Sequence, residues 1–179
     1  KAPVDEAMKH LAGSKALIID LRRNGGGNPE SIRYICSYLF DKPTHINSIY
    51  WRSSNTTVDF VTADHVDGQK MGGVPIFVLT SHYTFSGGEE FAYDIQTQRR
   101  GLLIGETTGG GANPGGAFAI GDELRLFIPT GRAINPITKT NWEGVGVVPD
   151  VKADATSAFE IALTRARQVT ADRLSKGKK

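Results

Sequence analysis

Ser86 stands in the run Thr80-Ser-His-Tyr-Thr-Phe-Ser-Gly-Gly-Glu-Glu90, where an apolar stretch gives way to a helical pattern. A serine at or just before a helix start faces free backbone N–H groups and a partial positive charge. Its hydroxyl could attack a carbonyl, and the resulting oxyanion could be held by the N–H of Gly87, where no side chain blocks close approach. The placement is that of a nucleophile elbow in its physics, although Gly-x-Ser-x-Gly is absent. The same residues also spell a capping box, with Ser86 capping the helix and Glu89 reaching back. Glu89 and Glu90 early and Arg99 and Arg100 late suit the helix dipole without any catalysis.

A second cluster, Asn24-Gly-Gly-Gly27, also follows a buried strand pattern and precedes a helix. Ligand sites of α/β sheets favour the C-terminal ends of strands, so both clusters should open on one edge. The triplet could donate a second N–H to the oxyanion, or it could be an ordinary tight turn. A serine nucleophile also needs a base. Of His10, His45, His65 and His82, only His82 lies near Ser86 in sequence, and a solvated loop histidine is the plainer reading of it. Glu143, between Trp142 and Gly144, is either a partly buried carboxylate that needs a partner or a solvated hairpin residue. No His, Asp or Glu spacing resembles a metal ligand set, no cofactor is expected, and the glycine clusters fit neither a phosphate loop nor a dinucleotide fingerprint.

Strand and helix patterns must position these residues. Val4, Ala7, Met8 and Leu11 mark a first helix, stopped by Gly13. Residues 16–21 (ALIIDL) and 75–80 (PIFVLT) read as buried parallel strands, and 102–105 as the next. Asn28 and Pro29 open a helix with Ile32, Ile35, Cys36 and Leu39 on its apolar face. Strands are expected over 45–52 and 56–61, and a helix over 86–99. Short strands at 118–120, 124–129, 132–134 and 145–148 follow. A last helix over 154–170 should bury Phe159, Ala162, Leu163 and Ala166. The pattern predicts an α/β domain with a mostly parallel sheet and a β-rich C-terminal segment.

At 179 residues the chain suits one domain with a core that needs no metal or disulfide. The single Cys36 excludes an internal disulfide, and a net charge of +2 argues against a nucleic-acid binder. The terminal Lys176, Lys178 and Lys179 read as a solvated end. No stretch approaches the roughly 20 apolar residues of a membrane span. Glycine is the unusual count, 21 in all, with 11 between Gly101 and Gly146.

Four motifs in fixed order carry a resemblance. They are Asp20-Leu-Arg-Arg-Asn-Gly-Gly-Gly27, Thr84-Phe-Ser-Gly-Gly-Glu-Glu-Phe91, Gly105-Glu-Thr-Thr-Gly109 and Trp142-Glu-Gly-Val-Gly-Val-Val-Pro-Asp150. Together they resemble the superfamily of C-terminal processing peptidases, the tricorn core peptidase and interphotoreceptor retinoid-binding protein. The resemblance spans roughly residues 16–152. It implies a Clp protease/crotonase-like fold, Ser86 as nucleophile, and an oxyanion hole at Gly87 and a triplet glycine, Gly26. It implies Glu143 as the acid that completes a serine–histidine network, and a peptide or protein substrate.

Two departures accompany it. Gly110 stands where bacterial processing peptidases carry their lysine base. Tricorn-like members take a histidine from an N-terminal helical domain, which these residues do not match, and His82 does not fall on that histidine. The base is therefore expected from an N-terminal part or another subunit. The family often works outside the cytoplasm, so an extracytoplasmic location is expected by resemblance alone. The alternative is a non-catalytic module of the retinoid-binding type, holding a hydrophobic ligand or peptide, because such modules share the motif around Ser86.

Overall fold

The computed structural model describes residues 1–176, so Lys178 and Lys179 of the basic end lie outside the described residues. Helix α1 (Ala2–Leu11) leads into β1 (Leu17–Asp20), α2 (Pro29–Leu39), β2 (His45–Trp51), β3 (Thr56–Val61) and β4 (Ile76–Thr80). After these come α3 (Gly87–Thr97), β5 (Leu102–Gly105), β6 (Gly115–Ile120), β7 (Leu124–Pro129), β8 (Gly131–Ile134), β9 (Val151–Lys152) and α4 (Ala158–Lys176). The α/β expectation holds.

The central sheet has the order β1-β4-β5-β9, and every pair in it is parallel. All five residues of β4 are buried, which is why its sequence is a continuous apolar run rather than an alternating one. Alternate residues serve two cores. Ile76 and Val78 join the larger core with Phe91, Ala92 and Ile95 of α3 and Ile32, Cys36 and Leu39 of α2. Phe77 and Leu79 face the opposite way, with Ile104, against Ala158, Ala162 and Ala166 of α4. Because β1 and β4 are parallel neighbours, the loops that follow them open on the same edge of the sheet.

A three-stranded antiparallel sheet, β3-β2-β8, closes the larger core through Ile46, Ile49, Phe60 and Ala133. Strands β6 and β7 form a separate two-stranded hairpin. Asn28 caps α2 as the sequence predicts, accepting the Glu30 N–H at 2.8 Å.

Two expectations fail. Residues 145–148 are not a strand: Gly144 and Gly146 both have φ of 72°, so the backbone turns twice, and both Val145 and Gly146 donate to the Trp142 carbonyl. The strand that joins the sheet is β9, a few residues later. In α4 Ala162 and Ala166 are buried as expected, with Ala158, but Phe159 lies exposed beside this stripe and Leu163 is only half-buried. The helix rides close to the sheet on methyl groups, which leaves no room there for a ring.

Candidate active site

The turn between β4 and α3 is laced to the loop that follows β1. Thr84 Oγ1 donates to the Leu21 carbonyl at 2.8 Å, Ser81 Oγ to the Arg22 carbonyl at 2.6 Å, and the Phe85 N–H to the Asn24 carbonyl at 3.0 Å. Ser86 follows with φ 50° and ψ −119°. An ordinary N-cap residue is extended, whereas this conformation is strained for a residue with a Cβ, by about 1–3 kcal/mol. The capping arrangement is there in outline, but only its Glu89 arm is a formed bond: the Ser86 N–H donates to Glu89 Oε2 at 2.8 Å, and the hydroxyl makes no side-chain cap bond. Ser86 itself is exposed. The turn thus holds a serine in a strained conformation with its hydroxyl available.

The two glycine clusters meet at this serine. Gly26 has φ +125°, and a Cβ on it would lie 2.9 Å from Ser86 Cβ, 3.2 Å from Ser86 Oγ and 3.3 Å from the Gly87 nitrogen. A Cβ on Gly87 would lie 2.7 Å from the Gly27 nitrogen. Neither position has room for a side chain, so the backbones of both loops line the space around the hydroxyl. Among the described residues the Gly87 N–H takes no acceptor. The Gly26 N–H donates to Asn24 Oδ1 at 2.9 Å, an engagement the sequence does not foretell.

Glu89 plays a larger part than a cap. Its carboxylate is fully buried and accepts from Thr108 Oγ1 at 2.5 Å, Gly110 N at 2.6 Å and Gly111 N at 2.8 Å, besides Ser86 N. A buried carboxylate is tolerable only when its lone pairs are met in this way. It fastens the nucleophile turn to loop 106–114. The signal for this lies in the run Thr108-Gly-Gly-Gly111, a row of donors with no side chains in the way, but nothing in the sequence pairs that row with Glu89.

Glu143 is exposed rather than partly buried, yet it has partners: Oε2 accepts the Ala112 N–H at 2.7 Å and the Asn113 N–H at 2.9 Å. Trp142 beside it is buried, donating to the Gly111 carbonyl at 3.2 Å, and the Gly144 N–H bonds the Gly110 carbonyl at 2.9 Å. The structure therefore brings Ser86, Gly26 and Gly87 together and places Glu143 against the loop that Glu89 ties to them. Glu143 and Ser86 share no hydrogen bond among the described residues. Gly110, where a lysine base would stand, has φ +90°, with Gly146 N only 3.2 Å from an added Cβ.

His82 is committed elsewhere. Its Nδ1 lies 2.8 Å from Glu106 Oε2, and its ring rests on Tyr83 with centroids 3.9 Å apart. Hydrogen bonds from the His82 side chain and from the His82 and Ala155 backbone hold the Glu106 carboxyl down at about 2. His82 lines a cavity of about 730 Å³ with Asp20, Arg22, Arg23, Ser81 and Tyr83, and neither Ser86 nor Gly26 lines it. Among the described residues no group of three or more His, Cys, Asp or Glu side chains could hold a metal ion, and no helix is long and apolar enough to cross a membrane.

Comparison with known proteins supplies the context. Residues 1–153 match the profile of peptidase family S41. Carboxyl-terminal-processing peptidase 2 of Arabidopsis thaliana chloroplasts is 31% identical over 150 residues, 82% of this chain and 28% of that protein. The tail-specific protease of Haemophilus influenzae is 34% identical over 99 residues, 54% of this chain and 13% of that protein. Among solved structures, mature CPAF superposes with a TM-score of 0.73 at 15% identity, covering 94% of this chain and 45% of that one. The photosystem II D1 C-terminal processing protease gives 0.69 at 23%, covering 86% and 39%. These structural likenesses establish the Clp protease/crotonase-like fold. The chain spans less than half the length of each of these four proteins.

Proposed function

The chain belongs to peptidase family S41, and from that premise we propose that it carries the nucleophile and oxyanion site of a serine peptidase acting on peptides or proteins. The observation that carries this reading is the strained, exposed Ser86 at the strand-to-helix turn, with two glycine backbones packed against it. A cap alone has no use for that strain; a nucleophile aimed away from the helix does.

In the reaction, Ser86 Oγ gives its proton to a base and bonds the scissile carbonyl carbon, whose oxygen becomes the oxyanion. The free Gly87 N–H receives it. The Gly26 N–H is the second donor, and the full charge of an oxyanion outcompetes the neutral Asn24 amide oxygen for it. Collapse breaks the C–N bond, the base returns the proton to the leaving amine, and water releases the acyl group from Ser86. Glu143 supports this network through its hydrogen bonds to Ala112 and Asn113 of loop 106–114. The base itself comes from another segment of the protein or another subunit, since Gly110 offers none and His82 is held by Glu106.

The test is labelling with a serine-reactive phosphonate, of this chain and of its complete gene product, with adducts mapped by peptide mass spectrometry. An adduct on Ser86 of the complete product, absent from Ser86→Ala, is the expected result. A folded complete product that takes no adduct would overturn the reading and favour a module that only binds a hydrophobic ligand or peptide.

A further inference from the structure

The β6–β7 hairpin leaves the body of the protein as two strands with both outer edges unpaired. An isolated two-stranded hairpin is at best marginally stable in water, so something ordinarily covers one of its faces. Its register puts Phe118 opposite Leu126 and Ile120 opposite Leu124, with Ile128 next on the same face. These five side chains are 47, 50, 52, 65 and 41% exposed, respectively, and no charge interrupts them. The opposite face carries Ala117, Ala119, Arg125 and Phe127.

Charge is placed at the two ends instead. The turn at the tip holds Asp122 and Glu123, both exposed. At the root, a recess of about 400 Å³ is lined by Tyr50, Arg52, Thr130 and Arg132, among others. Among the described residues none of these four charged side chains takes part in an ion pair. At about 3.4 Å per residue, each six-residue strand is roughly 20 Å long. A second hairpin laid antiparallel on the apolar face would therefore bring its acidic tip to this basic root, and the reverse.

We propose that this face pairs with the same face of a second copy of the chain, about a two-fold axis, with the acidic tip of each hairpin meeting Arg52 and Arg132 of the other. A two-fold contact needs a self-complementary patch, and an apolar stripe flanked by opposite charges at its two ends is one. Five side chains at roughly 100 Å² apiece cover about 500 Å² per copy, or about 1,000 Å² in the pair. That sits at the threshold for a specific interface, so a dimer dissociating in the micromolar range is expected.

Sedimentation velocity from about 1 to about 200 µM reads this directly, across the range where such a dimer dissociates. The wild-type chain should move from monomer to dimer, and Leu126→Lys should raise the dissociation constant by about 100-fold or more, because each copy loses one buried leucine. Phe127→Lys, on the opposite face of the same strand, should leave the dimer intact. Reversing the tip (Asp122→Arg with Glu123→Arg) should weaken association, and adding Arg52→Glu with Arg132→Glu should restore it. A chain that stays monomeric throughout overturns the proposal and assigns the face to a different partner. A dimer indifferent to Leu126→Lys, or one lost equally with Phe127→Lys, overturns it too. Failure of the charge reversal to recover association overturns the antiparallel arrangement. None of these outcomes depends on whether Ser86 is reactive.

Discussion

At Ser86, the strain of φ 50° is held in place by what surrounds it, chiefly the Glu89 carboxylate. Two of the four groups donating to Glu89 meet one oxygen and two the other. In Glu89→Gln the NH2 takes the place of Oε1, where the Thr108 hydroxyl can turn to accept from it but the Gly110 N–H is left unmet. Leaving one buried donor unmet costs about 1–3 kcal/mol, so destabilisation of about that size is expected. In thermal melts that corresponds to a fall of roughly 3–10 °C. The Ser86 adduct should be lost even below the lowered melting point, because the turn is no longer tied to loop 106–114. Ser86 and Gly87 were legible because their relation is local, a strand end, a helix start and a residue without a side chain, while Gly26, about sixty residues away, was reached through the shared edge of neighbouring parallel strands. Of Glu89 only the capping arm to Ser86 was legible; its other partners, the Thr108 hydroxyl and the Gly110 and Gly111 N–H groups, lie about twenty residues away, and a backbone N–H has no letter of its own.

Helix α3 carries a second pair of acids behind the site. Glu90 and Asp94, one turn apart, are both buried in the larger core near Cys36. Glu90 has one hydrogen bond, from Asn47 Nδ2 at 3.1 Å, while neither oxygen of Asp94 has a partner among the described residues. Burial pushes the Glu90 carboxyl up to about 7, and burial together with the Glu90 charge pushes Asp94 well above the usual range. Groups raised on folding bind protons that the unfolded chain has released. Their contribution is whole below about 4.5 and is lost as pH rises through about 7, at up to about 1.4 kcal/mol per pH unit for each proton. Stability measured by urea unfolding should therefore fall from pH 5 to pH 8, and Asp94→Asn should flatten that fall. At the acid end Glu106 works in the opposite sense, its contribution present above about 4.5 and lost toward about 2. The elements themselves were mostly legible: β3, β5 and β7 fall where the apolar patterns put them. Residues 145–148 misled because their valines look like a strand while the positive-φ Gly144 before them and Gly146 among them fold the chain into turns.

Across the whole molecule, what the sequence concealed is how thick each layer is. The larger core draws on α1, α2, α3 and the antiparallel sheet, with Tyr38, Leu39 and Trp142 almost wholly buried. On the other face of the central sheet, among the described residues, α4 alone packs, held by three alanines with Ile161 and Val169 at their side. The apolar pattern puts Phe159, Ala162, Leu163 and Ala166 on one face of α4, but of these only the alanines are buried, since a large side chain would hold the helix too far from Phe77 and Leu79. One consequence concerns the order in which the molecule opens. At about 0.8 kcal/mol per buried methyl-sized group, the alanine stripe is a weak fastening beside the larger core. The amides of α4 should exchange with deuterium well ahead of those of β4, as a cooperative unit that detaches first. Hydrogen-exchange mass spectrometry would resolve the two. The state reached by that detachment keeps Ser86 and its glycines on an intact sheet edge while baring Phe77 and Leu79 on the opposite face, so stickiness should precede loss of the site on gentle heating.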